Sequence, residues 1–355
     1  MAVAATFSRD DARQNGAVIA MDARALGMDV ALQPYINMDR DLAFDRGYNT
    51  FGEDPLLTGQ IAAAEIEGIQ SKGIMAQAKH YIEYDGGNNV FIGEQALREI
   101  YAAAFADAVR AGVSSIMCAY NKINGSYACG NPDTLITILR DQIGFKGFVT
   151  SDWGADHDID FFNKGLNLQM PGPLTKNMDE EIRQEVESGR MSETTIDRAV
   201  GRILPQMDRF GLLDGKQKHS ITSVDSAADA LVVQKTAEDA AVLLKNDGNT
   251  LPLSKDDFHS LMVIGPGAGQ VMAIGIPDEK AVGILADEVS PLDALRKATA
   301  DDPNVHIVYA IADDLTGSPI PAEFLSHNGT PGLVKASSGK AEQTDNQISF
   351  AATLS

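Results

Sequence analysis

Apolar and polar positions along the chain follow a repeating rhythm. A stretch with apolar residues on one helical side is followed by a polar turn and then a short, largely apolar run. Short apolar runs bounded by Gly or polar residues read as strands buried on both faces. Such runs lie at 29–33, 74–78, 114–119 and 148–150, and a further short strand is expected at 166–170. Between them the pattern predicts helices over 8–26, 54–70, 96–111, 131–143 and 156–164, with two more over 177–188 and 192–210. Local chemistry supports several starts: Ser8-Arg-Asp-Asp11 is a capping sequence, Asp54-Pro55 and Asn131-Pro132 place a cap before Pro at N1, and Gly112 stops the third helix.

Strands alternating with helices at this spacing imply an α/β fold with a parallel sheet and right-handed crossovers. The candidate functional residues share one address. Asp39, Arg46, Lys79-His80, Tyr120-Asn121 and Asp152-Trp153 fall at or after strand C-termini, which suits the top face of a (β/α) barrel better than the single crevice of a doubly wound sheet. Eight-stranded barrels take about 250 residues. Five strands before residue 210 therefore predict a TIM-like barrel over 1–210 that is incomplete or has some degenerate strands. A polar linker is expected at 211–226. Part of an α/β sandwich follows at 227–328, with a helix at 227–240, strands at 242–246, 260–264 and 305–311, and a helix at 291–300. Residues 329–355 read as the start of a further insert.

The composition narrows the possible partners. Net charge is −21 over 355 residues, which argues against nucleic acid and anionic membranes. No run of about 18 apolar residues suits a membrane span, and the first residues lack the features of a signal peptide. That leaves both the cytoplasm and export open. Two cysteines give no disulfide framework, and Cys118, in an apolar run, reads as a buried thiol.

The run Gly147 to Gly154 carries the sharpest chemistry. Its β-branched strand ends in Ser151-Asp152-Trp153-Gly154, and a carboxylate at the C-terminal end of a barrel strand is a candidate nucleophile. Lys79-His80 reads as a pair that hydrogen-bonds ligand hydroxyls, as a solvated loop pair, or as a Schiff-base lysine site. Arg46 could clamp hydroxyls or pair with Asp45 or Glu53 at the surface. Asp156-His157-Asp158 is a poor metal set, because adjacent residues point apart and no second His completes it. Gly265-Pro-Gly-Ala-Gly269 has Gln270 where a dinucleotide loop needs its third glycine, so it reads as a tight turn.

The ordered motifs resemble glycoside hydrolase family 3, the β-glucosidase-like enzymes. The matching segments are Arg46-Gly-Tyr-Asn-Thr-Phe-Gly-Glu-Asp-Pro55, Ala78-Lys-His-Tyr81, Gln95 to Tyr101, Met117 to Gly125, Gly144 to Trp153, and Met170-Pro-Gly172. Ala241 to Asn246 and Leu251-Pro-Leu253 resemble the opening of the family's second domain. Val289 to Arg296 and Asp314 to Pro321 resemble the subgroup with a PA14-type insert. The resemblance implies a retaining exo-acting hydrolase of terminal β-D-glucosyl residues, with a small carbohydrate as partner and no cofactor. It places Asp152 as nucleophile and Arg46, Lys79, His80, Tyr120 and Trp153 around the sugar, and it implies non-proline cis peptides at the Lys-His pair. The family's Asp-Gly-Pro segment is expected before residue 1 and its general-acid Glu beyond Ser355, so the chain reads as an interior portion of a longer enzyme. The Arg that usually follows the Lys-His pair is replaced by Asp85-Gly-Gly-Asn-Asn-Val90. Two rival readings are a Schiff-base aldolase using Lys79 and a sugar-binding fragment without turnover.

Overall fold

A computed structural model describes residues 1–41, 44, 46–172, 178–215, 226–253, 259–269 and 289–310, with the backbone of 326–327 and 330–331. The chain divides into two compact units, Met1–Leu244 and Lys245–Ser355.

The strands of the first unit are β1 (Val30–Ala31), β2 (Met75–Tyr81), β3 (Asn89–Val90), β4 (Ser115–Cys118), β5 (Lys122–Ile123), β6 (Ser126–Tyr127) and β7 (Phe148–Thr150). β1, β2, β4 and β7 form one sheet in that order, with every pair parallel. A parallel bridge from Thr150 to Leu168 adds a fifth position. All five lie where the apolar runs predict them. β4 and β7 are buried throughout and β2 nearly so, as expected of strands with helices on the outside.

The helices Arg9–Ala25 and Pro55–Ser71 cover this sheet, and they approach backbone to backbone. A Cβ on Gly16 would lie 2.3 Å from the Glu65 carbonyl oxygen, and one on Gly68 would lie 2.1 Å from that of Arg13. Their caps are as the sequence predicts: Ser8 accepts from the Asp11 N–H, and Asp54 accepts from the N–H groups of Leu56 and Leu57. Asn131 Oδ1 likewise accepts from Asp133 at 3.0 Å and opens the π-helical stretch Asp133–Gln142.

Four features differ from the sequence reading. Over 156–164 the chain forms only the 3₁₀ turn Ile159–Phe162, capped by Asp158. The apolar run at 242–246 is not a strand: no described segment pairs with it, and Leu244 is 91% exposed. A run of this kind satisfies the strand pattern, but only a partner makes a strand. The helix Ser226–Asp239 packs on the helices Ala2–Ala5 and Arg9–Ala25 within the first unit, through a stripe of Asp229, Val232, Thr236 and Ala240. Finally, Cys118 is not a free thiol. It is disulfide-bonded to Cys129, with Cα atoms 5.1 Å apart, and both residues are fully buried. The bond closes the loop that holds β5 and β6, which pair antiparallel beside β3.

In the second unit β8 (Ser260–Ile264) pairs in parallel with β9 (His306–Ala310). The helix Pro291–Ala298 lies between them in sequence, capped by Ser290. Residues Pro266–Gly269 form a single helical turn after β8. Nearly all of the expected insert at 329–355 lies outside the described residues. No helix among the described residues is long and apolar enough to cross a membrane.

Candidate active site

The C-terminal ends of the parallel strands converge on Asp152, two residues past β7. Its carboxylate is 7% exposed. Oδ1 accepts from the Trp153 N–H at 2.7 Å. Oδ2 lies 3.2 Å from His80 Nε2 and has no hydrogen-bond partner among the described residues. Burial raises the pKa of Asp152 above the ordinary carboxylate value. The Trp153 N–H, the Tyr120 hydroxyl, Lys79 and Arg46 oppose that rise.

His80 stands near the end of β2 and is 1% exposed. Burial, then the charges of Lys79 and Arg46, push its pKa well below the usual imidazole range. Asn37, beyond β1, grips it from the other side. Pairing with β2 continues past β1 to bring this about: Lys79 N–H donates to the Pro34 carbonyl at 3.0 Å, and Ile36 N–H donates to that of Lys79 at 2.7 Å. The Lys79-His80 and Tyr81-Ile82 peptides are cis.

Aromatic rings line the same space. Arg46 lies over the Tyr35 ring at 5.0 Å, and that ring meets His80 edge-on at 5.0 Å. Tyr84 packs edge-on against His80 at 5.2 Å and against Phe44 at 5.6 Å, and lies 6.1 Å from Tyr120. The Tyr120 hydroxyl donates to the Trp153 carbonyl at 3.1 Å. Burial and the neighbouring Asp152 raise its pKa. Tyr120 and Trp153 remain 37% and 41% exposed. Beside them is a cavity lined by Asp41, Phe44, Tyr84, Tyr120 and Asn121.

The structure therefore brings Asp152, His80, Lys79, Arg46, Tyr120 and Trp153 into one cluster. Other polar residues singled out in the sequence do different work. Asn121 donates to the Glu83 carbonyl at 2.8 Å and ties the end of β4 to that of β2. Asp39 sits under the Arg46-Gly47 turn, where a Cβ on Gly47 would meet its carboxylate at 3.1 Å. Asp156 is buried, Asp158 is a cap, and the His157 ring packs at a tilt against Tyr127 with ring centres 4.1 Å apart. Among the described residues no group of His, Cys, Asp or Glu is arranged to hold a metal ion. Sequence reasoning missed Asn37, Tyr35 and Tyr84. Tyr84 had a signal, since it follows Lys79-His80 by four residues; Asn37 had none beyond its polar loop.

In this α/β fold a buried carboxylate thus stands at the end of a parallel strand, flanked by cations and by exposed aromatic rings. Residues 1–205 match the glycosyl hydrolase family 3 N-terminal domain, and the chain belongs to that family. It is 33% identical over 308 residues to a beta-glucosidase of Rhizobium radiobacter, covering 85% of this chain and 37% of that one. It is 31% identical to thermostable beta-glucosidase B of Acetivibrio thermocellus, covering 91% and 42%. Among solved structures, DesR, a beta-glucosidase from Streptomyces venezuelae in complex with D-glucose, superposes with a TM-score of 0.81 at 37% identity, covering 90% of this chain and 43% of that one. The chain spans less than half the length of these relatives.

Proposed function

We propose that this chain carries the nucleophile and sugar-holding half of a retaining, exo-acting glycoside hydrolase acting on terminal β-D-glucosyl residues. The observation that carries the reading is Asp152 Oδ2, a buried carboxylate oxygen with no hydrogen-bond partner among the described residues, at a strand end in a family whose relatives are named beta-glucosidases. Asp152 attacks the anomeric carbon through Oδ2 while Trp153 N–H holds Oδ1. The glycosidic bond breaks, its oxygen leaves with a proton from a second carboxyl, and a glycosyl ester forms on Asp152. Water then cleaves that ester, with the second carboxyl acting as base. Attack requires the ionised carboxylate. Burial works against that state, and Arg46, Lys79 and Tyr120 work for it.

Arg46, Lys79 and His80 bind sugar hydroxyls in this reading, and Trp153 and Tyr120 pack on the ring faces. The reaction needs no metal or organic cofactor. We read the parallel sheet as an incomplete (β/α) barrel over 1–210, and the β8–β9 pair with the helix Pro291–Ala298 as part of an α/β sandwich. The segment 329–355 is read as the start of a PA14-like insert. A dinitrophenyl 2-deoxy-2-fluoro-β-glucoside tests the central claim, because its leaving group needs little protonation. Peptide mapping should find the fluoro-sugar on Asp152 and none on the Asp152→Asn variant. A label on another residue would overturn the assignment.

A further inference from the structure

We infer that Asn37 is a positioning residue: it holds the ring proton of His80 on Nδ1, so that His80 turns a bare Nε2 lone pair toward Asp152 and an incoming ligand hydroxyl. The catalytic consequence rests on the hydrolase reading above; the proton's location does not.

The backbone fixes the Asn37 amide. Its Nδ2 donates to the His80 carbonyl at 2.8 Å, and its Oδ1 accepts from the His80 N–H at 2.8 Å. A flipped amide would set NH₂ against N–H and oxygen against carbonyl, so only one orientation satisfies both. The atom 3.2 Å from His80 Nδ1 is therefore the oxygen Oδ1, whose second lone pair requires a donor. Nδ1 must supply the hydrogen. His80 is buried beside two cations and stays neutral, and a neutral imidazole carries one N–H. Nε2 then has none.

The surroundings agree. Nε2 is 3.2 Å from Asp152 Oδ2 but is not aligned to donate to it, and that oxygen has no hydrogen-bond partner among the described residues. The rings of Tyr35 and Tyr84 meet His80 edge-on. The charged and titratable groups acting on Asp152 are Lys79, Arg46 and Tyr120. Two acceptors thus stand side by side. A sugar hydroxyl can donate to Nε2 next to the attacking oxygen, and His80 does not blunt that oxygen by donating to it. A neutral Asn suits this role better than an Asp. A carboxylate against Nδ1–H would favour the imidazolium, whose Nε2–H would then bind Oδ2.

The test is a two-bond ¹H–¹⁵N correlation spectrum of the full chain carrying ring-¹⁵N histidine, near pH 7. The His80 signals are assigned by their absence in His80→Gln. Wild type should show neutral His80 protonated at Nδ1. In Asn37→Ala the proton should move to Nε2 or average between the nitrogens. In Asn37→Asp an imidazolium should appear, with fluoro-sugar labelling of Asp152 slowed about tenfold or more, as for one charge-assisted hydrogen bond to the nucleophile. An Nε2–H or an imidazolium in wild type, or an unchanged Nδ1–H in Asn37→Ala, would overturn the inference. The wild-type spectrum decides the tautomer even where a variant fails to fold. It also needs no turnover, so a chain that fails to label on Asp152 would sink the hydrolase reading alone.

Discussion

Arg140 is a buried cation with no ion pair among the described residues, and its removal tests how the strands beneath Asp152 are held. Nη1 donates to the Gly147 carbonyl at 3.0 Å, and Nη2 donates to Asn167 Oδ1 at 2.6 Å. The same Asn167 oxygen accepts from Val149 N–H at 2.8 Å, so Arg140 and Asn167 together pin β7 to the fifth strand position. Two charge-assisted bonds are worth roughly 3–6 kcal/mol in total. Against this, burial and the nearby Arg202 push the guanidinium from 12.5 down to about 9. At 1.36 kcal/mol per pKa unit that is a penalty of about 5 kcal/mol on the charged form. The terms nearly cancel. Arg140→Met, which keeps most of the volume and removes the charge, should therefore cost no more than about 2 kcal/mol. Arg140→Ala leaves a cavity and should cost about 2–3 kcal/mol more than Met. Urea unfolding followed by far-UV circular dichroism gives both numbers. A Met variant as unstable as the Ala variant, or one losing more than about 4 kcal/mol, would show that the cation is a net stabiliser and that the balance is misjudged.

Burial raises the Glu65 carboxyl from 4.5 to about 7, so the folded state binds its proton more tightly than the unfolded state. Stability should fall as pH rises from about 4.5 through about 7 and then level off. Glu65→Gln should be more stable than wild type by roughly 3 kcal/mol at alkaline pH and equal to it near pH 4, a crossover that thermal melts would reveal; a constant difference would contradict the burial argument. The Cys118–Cys129 bond spans 11 residues, a loop short enough that losing it should cost about 2–3 kcal/mol. Melting the Cys118→Ala/Cys129→Ala double variant beside the oxidised chain measures this, and equal melting temperatures would mean the bond does not constrain the unfolded chain.

Much of the frame was legible because its signals are local. Four of the five strand positions are largely apolar runs, the pattern that burial on both faces requires, and the fifth, Leu166 to Met170, alternates apolar with polar residues. Helix starts were legible for the same reason: Ser8, Asp54 and Asn131 cap their own N-termini. The failures are non-local. Val242 to Asn246 has a strand's composition but no partner among the described residues. Cys118 and Cys129 meet because β5 and β6 fold the chain back between them, and two-residue strands are too short to show a period. Asn37 grips a residue 43 positions away, and no property of its own loop announces that contact.

The charge balance at Asp152 is non-local for a further reason. Arg46 lies in the loop after β1, Lys79 and His80 lie within β2, Tyr120 follows β4, and Asp152 follows β7. No single motif contains the balance; the parallel register assembles it. In a regular strand Lys79 and His80 would point to opposite faces. The register between β2 and β4 shifts between Ala78 and Tyr81, and irregularities of this kind re-aim side chains. Lys79 and His80 consequently both act on the same carboxylate, one as a charge and one as a contact. A one-residue slip of β2 against β1 would move both groups and leave Asp152 buried with less to hold it ionised. The site thus depends on the pairing of Tyr35 with Lys79 as much as on the identity of any residue that would touch a sugar.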